Sequence, residues 1–281
     1  MRCQWDCFID LLPGWMQADV DRLGKDRLQE LRLRVNMEPE LVTGAGTVRL
    51  SRKTIKEDLD HCINLASRYS PWAAETISKG YLTATGGHRI GLCGCASIHD
   101  GYVKSFKTVT SLCIRVARDY PGIAAKIPRN GSVLIIGSPG SGKTTLLRDL
   151  IRQISDHAYG SVAVLDERGE IFPFLRDRPC FPIGRSTDVL TWCPKPQGID
   201  MLIRTMGPAV IAVDEITAIE DCEALHYAGW CGVRLIATAH AGSKEELYTR
   251  PVYKPLIQSA LFDTLIILQP DKSWKAERMK I

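Results

Sequence analysis

Apolar residues follow two rhythms along the chain, one on each side of Pro128-Arg129-Asn130-Gly131. Before that point they are spaced among polar residues. Leu28 to Val35 reads Leu-Gln-Glu-Leu-Arg-Leu-Arg-Val and alternates toward its end, which predicts a half-buried strand. Lys56 to Tyr69 places Leu59, Ile63 and Ala66 at helical spacing. Tyr81 to Thr85 predicts a strand entering a tight turn at Gly86-Gly87, with His88 to Gly94 as its hairpin partner and Ser111 to Val116 as another strand. After that point the apolar runs are short and uninterrupted: Val133 to Ile136, Val162 to Leu165, Val210 to Val213 and Leu235 to Thr238. Helical stretches follow Lys143, surround Met201 and run from Ala218 to Ala228. Buried runs separated by helices predict a parallel sheet covered on both faces. The organisation read from this pattern is an α+β domain over residues 1–128 and an α/β domain over 129–281.

Composition narrows the class. A length of 281 residues suits one or two domains, and 45% hydrophobic with 24% charged residues is a globular balance that excludes a disordered or fibrous chain. Apolar runs such as Val210 to Val213 and Leu265 to Leu268 fall far short of the roughly 18 residues that span a bilayer. Asp6 and Asp10 interrupt the apolar stretch of Met1 to Pro13, so no secretory signal is expected there. These features predict a cytoplasmic protein without a transmembrane segment. The net charge of +4 is too small to point to nucleic acid, although a local patch could bind phosphates. The 10 cysteines include no C-x-x-C, and only Cys93-Gly94-Cys95 and the pair Cys3 and Cys7 lie close together; reduced, buried thiols are expected.

The chemistry concentrates after Ile136. Gly137-Ser138-Pro139-Gly140-Ser141-Gly142-Lys143-Thr144 is a complete G-x-x-x-x-G-K-[ST] phosphate loop, preceded by a predicted strand and followed by a helix carrying Leu146, Leu147 and Leu150. Glycines let the backbone wrap a phosphate, and the helix N-terminus adds unpaired donors and a favourable dipole. Lys143 is expected at the β- and γ-phosphates, with Thr145 following at the loop's end and Thr144 on Mg²⁺. A phosphate loop of this type needs an acidic strand end, and Ala209 to Glu215 supplies one: Asp214 for Mg²⁺ and Glu215 to orient and activate water. A second acidic strand end, Asp166-Glu167-Arg168-Gly169-Glu170, lies at the same sheet edge if the strands are parallel. Either Glu215 or Glu167 then serves as the base. Ile236 to His240 ends another strand, where His240 is a candidate γ-phosphate sensor. Arg204, Arg89, Arg115 and Arg118 are candidates for neutralising transition-state charge, within the chain or from a neighbouring subunit.

Taken in order, these motifs resemble the ATPases of type II and type IV secretion systems: a Walker A loop at Gly137 to Thr144, an acidic box at Asp166 to Glu170, a Walker B strand at Ile211 to Glu215 and a histidine box at Thr238 to His240. The likeness extends to sporulation members of that family through Glu30-Leu31-Arg32-Leu33-Arg34, Gly86-Gly87-His88-Arg89-Ile90-Gly91, Gly142 to Asp149, Asp166 to Ile171 and Thr187-Asp188-Val189-Leu190. It implies a RecA-like P-loop NTPase domain of the secretion-ATPase type behind a smaller N-terminal α+β domain. It also implies an ATP-hydrolysing motor using ATP and Mg²⁺, a homo-oligomer that is hexameric in that family, and partners among the membrane proteins of a sporulation or secretion channel. The place implied is the cytoplasm, peripheral to a membrane complex on the mother-cell side. Nucleotide would lie between the two domains, where Arg89, Arg115 and Arg118 could meet the γ-phosphate. Thr217 stands where the family pattern has glycine, and Ser138-Pro139 replaces a Pro-Pro start. Two other readings remain: a RecA-like motor on nucleic acid, and a nucleotide-gated assembly scaffold.

Overall fold

A computed structural model describes residues 1–67, 73–157, 160–175, 178–269 and 271–279. The described chain falls into two units, Met1–Arg118 with Phe174–Cys180, and Asp119–Pro173 with Phe181–Ile281. The crossing at Arg118-Asp119 lies upstream of the boundary read at residue 128. Residues after the crossing are held to the second unit, because Asp149 accepts hydrogen bonds from the Gly122 and Ala124 amides at 3.0 and 2.8 Å. Pro128 to Gly131 punctuates the approach to a strand. The return of Phe174–Cys180 to the first unit is invisible to local pattern.

The first unit opens with helices α1 (Trp5–Asp10) and α2 (Gly14–Leu23), then strands β1 (Leu28–Arg34), β2 (Glu40–Thr43) and β3 (Gly46–Arg49). Helices α3 (Lys56–Ser67) and α4 (Ala73–Ser78) precede β4 (Tyr81–Thr83), β5 (Arg89–His99) and β6 (Tyr102–Arg115). Arg68 and Tyr69, the end of the predicted helix, lie outside the described residues. The strands pair antiparallel in the order β3-β2-β1-β6-β5-β4. Alternation in β1 sends Leu31 and Leu33 inward while Arg32 and Arg34 pair outward with Glu30 and Glu40. Phe8, Leu12, Met16, Leu59, Ile90 and Ile114 complete a core with no solvent exposure.

The second unit begins with β7 (Val133–Ile136), α5 (Lys143–Asp156) and β8 (Val162–Asp166). The segment belonging to the first unit carries the short antiparallel pair β9 (Phe174–Leu175) and β10 (Arg178–Pro179). Then come β11 (Thr187–Thr191), α6 (Lys195–Met206), β12 (Val210–Ile216), α7 (Ile219–Trp230), β13 (Arg234–Ala239), α8 (Lys244–Thr249), α9 (Lys254–Gln258), β14 (Thr264–Leu268) and β15 (Trp274–Arg278). The sheet order is β11-β8-β12-β13-β7-β14-β15. All neighbours are parallel except β15, which runs antiparallel to β14. The predicted parallel sheet is therefore mixed at one edge, where the exposed charges of Lys275 and Arg278 suit a strand facing solvent. Helix α5 buries Leu146, Leu147, Leu150, Ile151 and Ile154 against the sheet; α6 and α7 contribute Ile199, Leu202, Cys222 and Leu225. Because β7, β8, β12 and β13 are parallel, their carboxyl ends open on one sheet edge, where ligands bind in α/β folds of this kind.

The cysteine expectation holds only in part. Cys62 and Cys222 are buried, whereas Cys93, Cys95 and Cys231 are exposed. Cys93 faces Ser111 at the margin of the sheet, and from Gly94 onward β5 and β6 run on as a two-stranded ribbon that carries Cys95. No helix among the described residues is long and apolar enough to cross a membrane.

Candidate functional site

At the carboxyl end of β7 the chain turns through Gly137 to Gly142 into α5. Gly140 and Gly142 adopt left-handed φ values of 75° and 104°, which favour glycine. A side chain built at Gly140 would meet nothing within 4 Å, so the space beside the loop is open. The Lys143 ammonium turns back over the loop. It donates to the Gly137 and Ser138 carbonyls at 2.8 and 2.9 Å and to Nδ1 of His240 at 3.0 Å. Burial pushes its pKa down, opposed by Asp214 and Glu215. Ser141 is buried, and its hydroxyl has no hydrogen-bond partner among the described residues. Pro139 lies in the loop, and Thr145 is half-buried in the first turn of α5.

The end of β12 is built by a break in register. Between Val213 and Ile216, two residues of β12 face one of β13, so Asp214 and Glu215 occupy a bulge. Glu215 has a left-handed φ of 53°, costly for a residue with a side chain. Thr238 of β13 stabilises it: its hydroxyl accepts from the Glu215 amide at 2.8 Å and donates to Asp214 Oδ1. The second oxygen of Asp214 accepts from the Thr144 hydroxyl at 2.7 Å. His240 follows on the same strand. With Nδ1 accepting from Lys143, its proton lies on Nε2 and is donated to Glu215 Oε1. Arg168 donates to the other Glu215 oxygen at 3.0 Å. Lys143, His240, Glu215, Asp214 and Thr144 thus form one continuous chain of contacts across three strand ends. The Thr144 hydroxyl and Asp214 carboxylate are hard oxygen donors of the kind Mg²⁺ takes, and the open glycine turn fits a phosphate.

The loop after β8 uses its two acids differently. Asp166 is buried and accepts from the amides of Glu170 and Phe172, both at 2.8 Å. Burial, reinforced by Asp214, pushes its pKa up to about 6 against those bonds and Arg148. Arg148 of α5 grips the same loop from its carbonyls, donating to Ile171 and to Glu170 at 2.5 and 3.0 Å, with its guanidinium over the Phe181 ring. Asp166 is therefore occupied in shaping the loop. Glu167 points to Lys195, whose ammonium donates to it at 2.6 Å. A small pocket is lined by Glu167, Glu170, Lys195, Asp214 and Glu215 together with Asp166 and Arg168.

The four candidate arginines have partners of their own. Arg204 is exposed and donates to Asp200 one turn earlier in α6 at 2.8 Å. Arg89 stacks over the Tyr81 ring, Arg115 pairs with Glu30 at 3.2 Å, and Arg118 donates to the Lys25 and Leu28 carbonyls. These last three belong to the first unit. Sequence reasoning missed Arg168, Lys195 and the hydroxyl of Thr238 as individual participants. Arg168 sits inside a motif that was recognised, whereas Lys195 carries no signal beyond its place between two prolines at a helix start.

The family described as Sporulation stage III, protein AA matches residues 17–278. Stage III sporulation protein AA of Bacillus subtilis (strain 168) is 40% identical over 277 residues, covering 94% of this chain and 90% of the relative. This chain belongs to that family. Among solved structures, the ATPase DotB of Legionella pneumophila aligns with a TM-score of 0.58 at 16% identity, covering 94% of this chain and 78% of that one. The pilus retraction motor PilT with bound ADP aligns with a TM-score of 0.61 at 15% identity, covering 89% and 76%. The family member described here has the fold of secretion ATPases: a P-loop α/β domain with a smaller N-terminal α+β domain.

Proposed function

We propose that the chain binds ATP with Mg²⁺ at Gly137 to Thr145 and hydrolyses it as a homo-oligomeric motor of a sporulation channel. The observation that carries this reading is the unbroken contact path from Lys143 through His240, Glu215, Thr238 and Asp214 to Thr144. It joins a phosphate loop to a metal-type oxygen pair and to a carboxylate suited to accept a proton. Thr144 and Asp214 would hold Mg²⁺, which when bound supplies positive charge against the phosphate oxygens. Lys143 exchanges the Gly137 and Ser138 carbonyls for phosphate oxygens, a gain for an ammonium held out of water. Glu215 accepts the proton of the attacking water. Its contact with His240, itself bonded to Lys143, lets the presence of phosphate at the loop reset the geometry of the base. Glu215 is favoured over Glu167 because it lies on the contact path to Lys143 and its own partner Arg168 is exposed, whereas Glu167 is held by the buried ammonium of Lys195.

The proposal includes hexameric assembly, a cytoplasmic location beside the membrane and recruitment by channel membrane proteins; membership of the family and the secretion-ATPase fold support this reading. Phosphate release from ATP and Mg²⁺ by the unaltered chain, compared with Lys143→Ala and Glu215→Gln, tests the assignment. Both variants should lose turnover, and Glu215→Gln should keep nucleotide affinity. Turnover unchanged by either substitution overturns the site.

A further inference from the structure

Lys195 is the first residue of α6, between Pro194 and Pro196, and its side chain is only 6% exposed. Lysines are rarely buried without a charged partner, because the ammonium loses its hydration. Two carboxylates lie within reach: Glu167 Oε2 at 2.6 Å and Asp221 Oδ2 at 3.8 Å. That Asp221 oxygen already caps the start of α7, accepting from the Thr217 and Ala218 amides at 2.9 and 3.2 Å and from the Thr217 hydroxyl at 3.3 Å. Among the described residues Glu167 has no such competing donor, and it takes the short, charge-assisted bond. The pair faces the pocket that Asp214 and Glu215 share, alongside Asp166 and Glu170. Among so many carboxylates, an unpaired Glu167 would be repelled outward.

We propose that Lys195 is a positioning residue for nucleotide hydrolysis, fixing the Glu167 carboxylate as the wall of the pocket that contains Asp214 and Glu215. The proposal rests on the ATPase reading above. In this arrangement Glu167 is a fixed hydrogen-bond acceptor for water in the pocket and not a second free base. Lys195 touches neither the phosphate loop nor its lysine, so it acts on the chemical step and leaves nucleotide capture alone.

The test is a mutant cycle on the full chain, with kcat and KM for ATP, the affinity of a fluorescent ADP analogue, and thermal melting measured for each variant. Lys195→Met should lower kcat about tenfold while KM and ADP-analogue affinity stay within about twofold. Lys195→Arg, which keeps the charge, should recover part of the loss. Glu167→Gln should lower kcat comparably, and Lys195→Met in the Glu167→Gln background should add nothing further. The double variant removes both members of the pair, so it reports on the coupling even if Lys195→Met alone melts early. An unchanged kcat in Glu167→Gln, fully additive losses, or non-additivity with Asp221→Asn in place of Glu167→Gln would each overturn the proposal. Hydrolysis by the unaltered chain with no effect of Lys195→Met overturns this inference alone; no hydrolysis by the unaltered chain overturns the ATPase reading with it.

Discussion

Each unit contains a glycine turn with a histidine bonded beside it, and the two are built for opposite ends. In the first unit, Gly86 has a left-handed φ of 84°, and a side chain there would meet the Gln4 Cβ and His88 Nε2 at 2.9 Å. His88 is buried; its Nδ1 accepts from the Ala117 amide at 3.1 Å, so Nε2 carries the proton and donates to the Gln4 carbonyl at 3.0 Å. The turn is filled by the protein itself, and its histidine ties the N-terminal segment to the end of β6. In the second unit, the space beside Gly140 is open, and His240 lies between the Lys143 ammonium and the Glu215 carboxylate. Glycine richness and a nearby histidine are shared. What separates a structural turn from a ligand turn is whether the volume beside the glycine is already occupied and whether the histidine's partners are backbone groups or charges.

The largest expected effect comes from the filled turn. Burial pushes the His88 pKa down to about 4, from 6.5 for a free imidazole. The unfolded chain therefore takes up a proton between those values that the folded chain does not. The contribution of His88 should be fully present above pH 6.5 and be lost, by about 3 kcal/mol, as the pH drops to 4. Asp166, with its pKa raised to about 6, works in the opposite sense over the same range, so the His88 limb is read as the difference in urea unfolding between the unaltered chain and His88→Gln; a difference that does not change with pH would break the comparison.

The next effect belongs to the open turn. Lys143→Ala should cut ATP turnover by at least about a hundredfold, since charge on the transferring phosphoryl group goes uncompensated. Its melting temperature should barely move. A large loss of stability with residual turnover would make this turn structural, like its counterpart.

A matched pair of glycine substitutions sharpens the contrast. Gly86→Ala combines left-handed strain with a close approach to Gln4 and His88, so a loss of about 2–3 kcal/mol in stability is expected. Gly140→Ala carries the strain alone and should cost about 1 kcal/mol, while raising KM for ATP by crowding the turn. Equal melting losses in the two variants would remove the distinction. The smallest effect is expected at Thr238. Thr238→Val should lower turnover by about fivefold and cost about 1 kcal/mol in stability, because it releases the Glu215 amide and Asp214 at the bulge without touching nucleotide.

The strands and helices around the phosphate loop were legible in the sequence because short-range rules specify them. Uninterrupted apolar runs marked β7, β8, β12 and β13, and apolar spacing after Lys143 marked α5. The glycine pattern of residues 137–144 is a local backbone requirement, and the parallel order of the strands then placed Asp166, Asp214, Glu215 and His240 at one sheet edge. Strand β11 and the pair β14 and β15 were not read as elements. Two of them are edge strands, with less apolar sequence than the central ones.

Tertiary structure alone decided which of the marked residues do which work. Asp166 and Asp214 both end apolar strands, yet one is buried under its own loop's amides and the other bridges Thr144 and Thr238. Glu167 and Glu215 have the same local context, yet a lysine 28 residues away takes the first and a histidine 25 residues away takes the second. The bulge that turns Glu215 out of β12 depends on pairing with β13, and the return of Phe174–Cys180 depends on contacts far along the chain. Local sequence carries periodicity and backbone preference, which act over a few residues. Charge pairing and burial act through space, and only the folded chain determines which groups meet.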